Sequence, residues 1–211
     1  MAFTNYNDFR VGVQTLIEGD ETAGSTFSVN TLDIFIVLGE ARVHDGDNIT
    51  PGLRASPMVT ALSEALTANA ADLPDDLLEL RDLQFSGEPP LDIVPLDHLK
   101  RQIANDFNPS AAASRMAAQD GDSVTFWPET TGTVGGAYYA RPAPLEAGLH
   151  ATFLRYPQVY LYAALYEAAL FLGMDSKMSI WEARWRSLMD GANHSERMRV
   201  YGGGRLRTRT S

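Results

Sequence analysis

Apolar residues recur at helical spacing in several separate stretches of the chain. Between Tyr6 and Ile17 they fall at Phe9, Val13, Leu16 and Ile17, one stripe of an amphipathic helix that Gly19 stops. A second helix is predicted from about Asn30 to Val43. Leu32, Phe35, Ile36 and Gly39 mark its buried stripe, and Glu40 and Arg42 face out. A shorter one runs from Leu96 to Asn105. Pro157 opens the strongest element, because proline lacks an N–H where the first helical turn has no use for one. From Val159 to Leu172 only Glu167 is charged, and Gly173 caps the run. A helix apolar on every side needs cover on every side. That demand strains one small protomer and predicts a contact between copies. Asp175-Ser176 then starts a last helix, Met178 to about Met198, with Ile180, Trp181, Trp185, Leu188 and Met189 on one side.

Strand periodicity is weaker. Ser123–Trp127, closed by Pro128, and Ala137–Arg141 are rich in β-branched and aromatic residues, and the Gly/Thr stretch 130–136 lies between them. Together they predict a β-hairpin over about 123–141. Leu83-Gln84-Phe85 reads as a strand. Met58-Val59-Thr60 is a strand candidate in competition with an alanine-rich helix over 61–70. Asp75-Asp76, just after Pro74, suits a helix start, where carboxylates meet the positive end of the dipole. The small, polar stretch 108–118 reads as a loop. The fold class is α+β, mainly helical: a helix bundle with an inserted β-hairpin or small antiparallel sheet and an extended C-terminal tail. Residues 1–201 are expected to form one domain, and 202–211 a flexible basic arm.

Composition narrows the function. The 211 residues carry 17 Lys+Arg against 27 Asp+Glu, a net charge of −10. An acidic surface argues against a dedicated nucleic-acid binder, whose affinity comes from neutralising phosphates. The absence of cysteine removes disulfides, thiolate zinc sites, iron–sulfur clusters and thiol nucleophiles, and fits a reducing compartment. Met1 to Gly12 has neither the basic nor the apolar region of a signal peptide. No run reaches the roughly 18 apolar residues of a membrane helix.

The sequence carries no catalytic constellation. His44, His98, His150 and His194 are isolated, so no paired-histidine zinc motif exists. His44-Asp45 is the dipeptide of metal-dependent phosphohydrolases, but its further ligands are missing. Asp45-Gly46-Asp47-Asn48 starts like a calcium loop, yet Ile49 and Thr50 occupy positions that need an oxygen ligand and a glycine. There is no phosphate-binding Gly-x-x-x-x-Gly-Lys loop and no Gly-x-Ser-x-Gly nucleophile elbow. No catalytic, cofactor or metal residue is therefore assigned. The enzyme alternative is a small carboxylate-dependent metal hydrolase using Asp45, Asp47 and Asp75. A third reading is an accessory protein binding one partner through its Tyr/Trp helices.

Two features point to assembly. Tyr156, Tyr160, Tyr162 and Tyr166 crowd one helix, and Trp181 and Trp185 lie one turn apart on the next. Tyrosine joins a large apolar area to a polar tip, which suits interfaces as well as cores. Tyr160, Tyr166 and Trp185 are the candidate subunit-interface residues. The tail changes sign: Arg197, Arg199, Arg205, Arg207 and Arg209 have no acid among them, and Gly202-Gly203-Gly204 breaks the helix. Arg205, Arg207 and Arg209 are either a solubilising end or a docking arm that orders on a negative partner.

The order of motifs resembles a known family. Tyr-Tyr-Ala-Arg-Pro-Ala-Pro-Leu (138–145) leads by a short linker to Tyr-Pro-Gln-Val-Tyr-Leu-Tyr-Ala-Ala-Leu-Tyr-Glu-Ala-Ala (156–169). Phe35–Arg42 and Leu73–Leu80 fit the earlier part of the same pattern. Over about residues 30–200 this resembles the head-to-tail adaptor proteins of tailed bacteriophages. The segment Gly39–Asp47 is less basic than in related chains. The resemblance implies a structural virion protein, not an enzyme: a homo-oligomeric ring, usually of twelve, between the portal protein and a tail or nozzle protein. It also implies a C-terminal segment that reaches toward the portal, making Arg205, Arg207 and Arg209 portal-docking residues. Genomic DNA would pass through the lumen without sequence-specific binding. No cofactor and no membrane are implied. The location implied is the head–tail interface of the virion, after assembly in the host cytoplasm.

Overall fold

A computed structural model describes residues 3–18, 27–85, 88–105, 115–128 and 131–201. The chain forms two compact units, 1–57 with 142–211, and 58–141.

The first unit is helical. It contains α1 (Tyr6–Glu18), α2 (Val29–Asp45), α4 (Ala151–Arg155), α5 (Pro157–Leu172) and α6 (Asp175–Tyr201). Ser28 caps α2 by accepting a hydrogen bond from the Thr31 N–H at 3.2 Å. Gly173 ends α5 in the left-handed conformation that glycine adopts without penalty. The centre of the unit is α5, packed by α1, α2, α4 and α6. Small residues make the α2–α5 crossing close: a Cβ on Gly39 would stand 2.6 Å from the backbone nitrogen of Ala164. Phe9, Phe153 and Tyr160 pack ring against ring beside it, with centroids 5.0 Å (Phe9–Phe153) and 5.4 Å (Phe153–Tyr160) apart.

The second unit is built on two sheets. The first, in the order β1-β7-β3, is antiparallel and contains β1 (Val59–Ala65), β7 (Thr133–Ala140) and β3 (Leu77–Phe85). The second, in the order β2-β6-β5-β4, contains β2 (Ala70–Asp72), β6 (Ser123–Trp127), β5 (Met116–Asp120) and the short parallel β4 (Asp92–Ile93). The helix α3 (Leu96–Asn105) follows β4 and packs on β5. Both sheets contribute to one core of Leu62, Leu83, Phe85, Ala117, Val124, Phe126, Val134 and Tyr138. Alternation does the sorting: Val124 and Phe126 on β6, and Val134 and Tyr138 on β7, turn inward.

The α+β, mainly helical class holds, but the strand pairing corrects the expected hairpin. Residues 123–127 and 133–140 are strands, yet they belong to different sheets. The hairpin is β5–β6, closed at Gly121-Asp122 with Gly121 at φ 61°. Of the glycines expected to make a turn, Gly135 and Gly136 lie inside β7, and Gly132 precedes it. A Cβ on Gly136 would stand 2.2 Å from the Asp82 carbonyl oxygen, so glycine there permits close strand approach rather than chain reversal. Three further expectations change. Residues 116–120 are strand rather than loop, and 106–114 lie outside the described residues. The alanine-rich segment after Val59 is strand β1. Asp75 and Asp76 precede strand β3, not a helix, and Asp76 accepts from the Tyr138 hydroxyl at 3.0 Å.

Candidate functional site

The candidate interface residues Tyr160, Tyr166 and Trp185 lie in the helical unit. Tyr160 is 1% exposed and Trp185 0%, so both belong to the protomer's own core and present no surface to a neighbour. Tyr166 is half-buried beneath Arg42, whose guanidinium carbon stands 4.6 Å from its ring centroid and 5.6 Å from that of Trp185. Arg42 also pairs with Glu167, the lone charge of α5. Glu40 and Arg42, expected to face outward on α2, are thus packed, partnered groups. Arg205, Arg207 and Arg209 lie outside the described residues.

Glu40 is the larger departure. It is buried, and its Oε1 accepts the Leu145 N–H at 2.8 Å. Burial raises its pKa to about 7, against the lowering effect of that hydrogen bond. One turn on, His44 Nε2 and the Tyr160 hydroxyl are hydrogen-bonded at 3.1 Å. His150 caps α4 through Nδ1, which accepts the Phe153 N–H at 3.2 Å, while its buried Nε2 has no hydrogen-bond partner among the described residues. Desolvation lowers the His150 pKa and keeps the ring neutral. The imidazole ring centroids of His44 and His150 are 6.2 Å apart. Periodicity could not find this polar spine, because Glu40 and His44 sit at the margin of the stripe that Phe35, Ile36, Gly39 and Val43 define.

Of the carboxylates in the enzyme alternative, Asp45 is exposed at the end of α2 and Asp47 holds the turn that follows. Asp47 Oδ1 accepts the N–H groups of Ile49 (2.8 Å) and Thr50 (2.7 Å), and its Oδ2 pairs with Arg186 at 3.0 Å. Although burial opposes it, these amides and the Arg186 and Arg42 charges hold its pKa below the usual carboxylate range. Gly46 makes the turn: at φ 75°, a Cβ would stand 2.4 Å from the Thr50 carbonyl oxygen. The segment that starts like a calcium loop is therefore a tight Asx turn pinned by arginine. Asp75 belongs to the other unit, where it lines a small cavity of about 200 Å³ with Leu77, Gln119 and Asp122. Among the described residues, no group of three His, Asp or Glu side chains is arranged to hold a metal. Nor is any helix among them long and apolar enough to cross a membrane.

What the helical unit does offer is exposed apolar surface. α2 is apolar on two opposite sides. Leu32, Phe35, Ile36, Gly39 and Val43 face the core, and Ile34, Val37 and Leu38 are exposed at the spacing of a second stripe. At the end of α5, Leu170 and Phe171 are exposed, Phe171 with 74% of its surface free although its ring centroid lies 5.5 Å from that of Phe35. At the start of α5 an open, mainly apolar pocket of about 390 Å³ is lined by Tyr156, Pro157, Val159, Leu188, Gly191 and Ala192 among others. Contiguous exposed apolar surface marks interaction sites rather than chemistry.

A family model described as SU10 adaptor protein matches residues 4–209. No curated protein matches the chain.

Proposed function

Because the chain belongs to the SU10 adaptor protein family, a family of phage head-to-tail adaptors, we propose that it forms a ring between the portal and the tail. The ring extends the DNA channel and supplies the tail docking site. It works by oligomer geometry, with copies standing side by side and no bond chemistry. The observation that carries this reading is the second apolar stripe of α2. Ile34, Val37 and Leu38 lie opposite the face that α5 covers, and each leaves about half of its surface open. Burying such a face against another copy gains roughly 25 cal/mol for each Å² of apolar area removed from water.

Charge supports the channel role. Residues 58–141 carry 5 Lys+Arg against 13 Asp+Glu, so this unit holds a net −8 of the chain's −10. A negative surface lets DNA slide past, where a basic lumen would hold the phosphates and stall ejection. The basic residues Arg205, Arg207 and Arg209 form an arm of opposite sign, which docks on the portal.

Electron microscopy of the full chain mixed with the portal of the same virion tests the reading. A ring on the portal's tail-side face is expected. A chain that stays monomeric and leaves the portal bare would refute it. Deleting 202–211 is expected to weaken portal binding, and unchanged binding would remove the arm from the mechanism while leaving the ring.

A further inference from the structure

We propose that neighbouring copies join by a knob-in-pocket contact, in which Leu170 and Phe171 of one copy enter the pocket at the opposite end of α5 in the next. The inference rests on the ring reading above and adds, beside the α2 stripe, a second surface by which copies would join.

Three observations carry it. The knob and the pocket lie at the two ends of one 16-residue helix, within a single compact unit. At 1.5 Å per residue they are roughly 20 Å apart along that helix, too far to satisfy each other within a copy. Complementary patches at different places on one molecule make a head-to-tail contact, and head-to-tail contacts generate rings when their rotation closes.

The pocket is shaped for an apolar side chain. Ser187, Leu188 and Gly191 from α6 face Tyr156, Pro157 and Val159 from the start of α5. Gly191 leaves the floor open, since a Cβ there would meet nothing within 4 Å. Met198 follows on the same row of α6 and Leu154 lies just before the α5 wall, and both are exposed apolar residues. The acceptor end thus carries an apolar rim around an apolar hole.

Charge matches in the same sense. Exposed Arg155, Arg184, Arg197 and Arg199 lie around the pocket end, against the acids Asp190 and Glu196, the second of which pairs with Arg155 and Arg199. The knob end carries Asp175 just past Gly173 and Glu18 at the end of α1, which the Lys177 ammonium ties to α6 by donating to the Ile17 carbonyl at 3.2 Å. The pocket end is net positive, and the knob end is weakly negative once Lys177 is set against Asp175 and Glu18, a difference that favours this register and opposes a symmetric, pocket-to-pocket dimer.

The cysteine-free chain makes the test direct. The full-length double variant Phe171→Cys/Gly191→Cys is incorporated into virions and oxidised. A ladder of covalent multimers is expected, with each single variant remaining uncross-linked. Multimeric incorporation without cross-links in the double variant overturns this contact and leaves the ring standing. A chain present in virions as a lone copy overturns the ring and the contact together. A second variant separates contact from folding. Gly191→Leu fills the pocket from its own helix and replaces a poor helix former, so the protomer keeps its helical circular dichroism and melting temperature. Its self-association is expected to weaken at least tenfold, and unchanged association would overturn the proposal.

Discussion

At the scale of single residues, the buried polar spine makes stability depend on pH in a direction that can be worked out. Glu40 has an ordinary value of 4.5 and a folded value of about 7. Between those two, the folded chain holds a proton that the unfolded chain releases. Stability therefore falls as pH rises through this window and stays low above it. A pKa difference of one between the two states is worth about 1.4 kcal/mol, so the total loss is on the order of 3 kcal/mol. Glu40→Gln keeps an acceptor for the Leu145 amide and removes the charge. It is expected to stabilise the chain by roughly 2–3 kcal/mol at pH 8 and by almost nothing at pH 4, measured as the difference in urea unfolding between variant and parent. That difference cancels the opposing groups: neutral His150, which loses stability as pH falls below its ordinary value, and Asp47 and Glu196, whose lowered pKa values act in the same sense. A gain of equal size at both pH values would show that Glu40 is not the titrating group. The two aromatic candidates divide in a similar test. Trp185→Ala empties a fully enclosed site and should cost roughly 3–5 kcal/mol. Tyr166→Ala removes a half-exposed ring and should cost clearly less in the same unfolding titration, because the site can collapse or fill with water.

At the scale of elements, the close crossing of α2 and α5 holds the helical unit together. Gly39→Val would drive a branched side chain into the Ala164 backbone. A destabilisation of roughly 1–3 kcal/mol is expected in thermal unfolding, with α2 pushed off α5. The helices themselves were legible in the sequence. Proline at the start and glycine at the end put α5 at Pro157–Leu172, and the segment read as a short helix at Leu96–Asn105 is α3, as observed. The sheets were less so. β-branched and aromatic composition identified β6 and the end of β7, but pairing is decided by contacts distant in sequence. β7 lies between β1 and β3, whose residues precede it by some fifty to eighty positions. The glycines of β7 carried the wrong local signal, since the same residue serves a tight turn and a close strand approach. The apolar excess of α5 was real, but its meaning differed. Most of it is covered within the protomer by α1, α2, α4 and α6, and of its large apolar residues Leu170 and Phe171 remain exposed. More apolar surface in need of a partner lies on α2. There the inward stripe of Leu32, Phe35, Ile36 and Gly39 stands out at helical spacing, and the second, formed by Ile34, Val37 and Leu38, is interleaved with it and hidden by it.

At the scale of the whole molecule, the two units have a simple covalent relation. The sheet unit interrupts the helical one between Pro57 and Pro142. Its two ends are brought together by its own first and last strands, because Val59 stands opposite Tyr139 in the β1–β7 register. Directly opposed residues in antiparallel strands have Cα atoms only about 4.5–5.5 Å apart. Removing residues 58–141 and joining Pro57 to Pro142 through two glycines should therefore leave α1, α2, α4, α5 and α6 free to form the same core. Every residue of the Phe9–Phe153–Tyr160 cluster, and every member of the Glu40–His44–His150 spine, lies in what remains. The excised chain would carry a net charge of about −2 in place of −10, which lowers self-repulsion and favours association. Cooperative thermal unfolding with undiminished helical circular dichroism is expected. A broad, non-cooperative melt would show that the helical core depends on the sheet unit and that the two are one folding unit. Because the stripe of α2, the knob and the pocket all stay in the excised chain, it should also still associate head to tail. Retained folding with lost association would move the subunit contact onto the sheet unit.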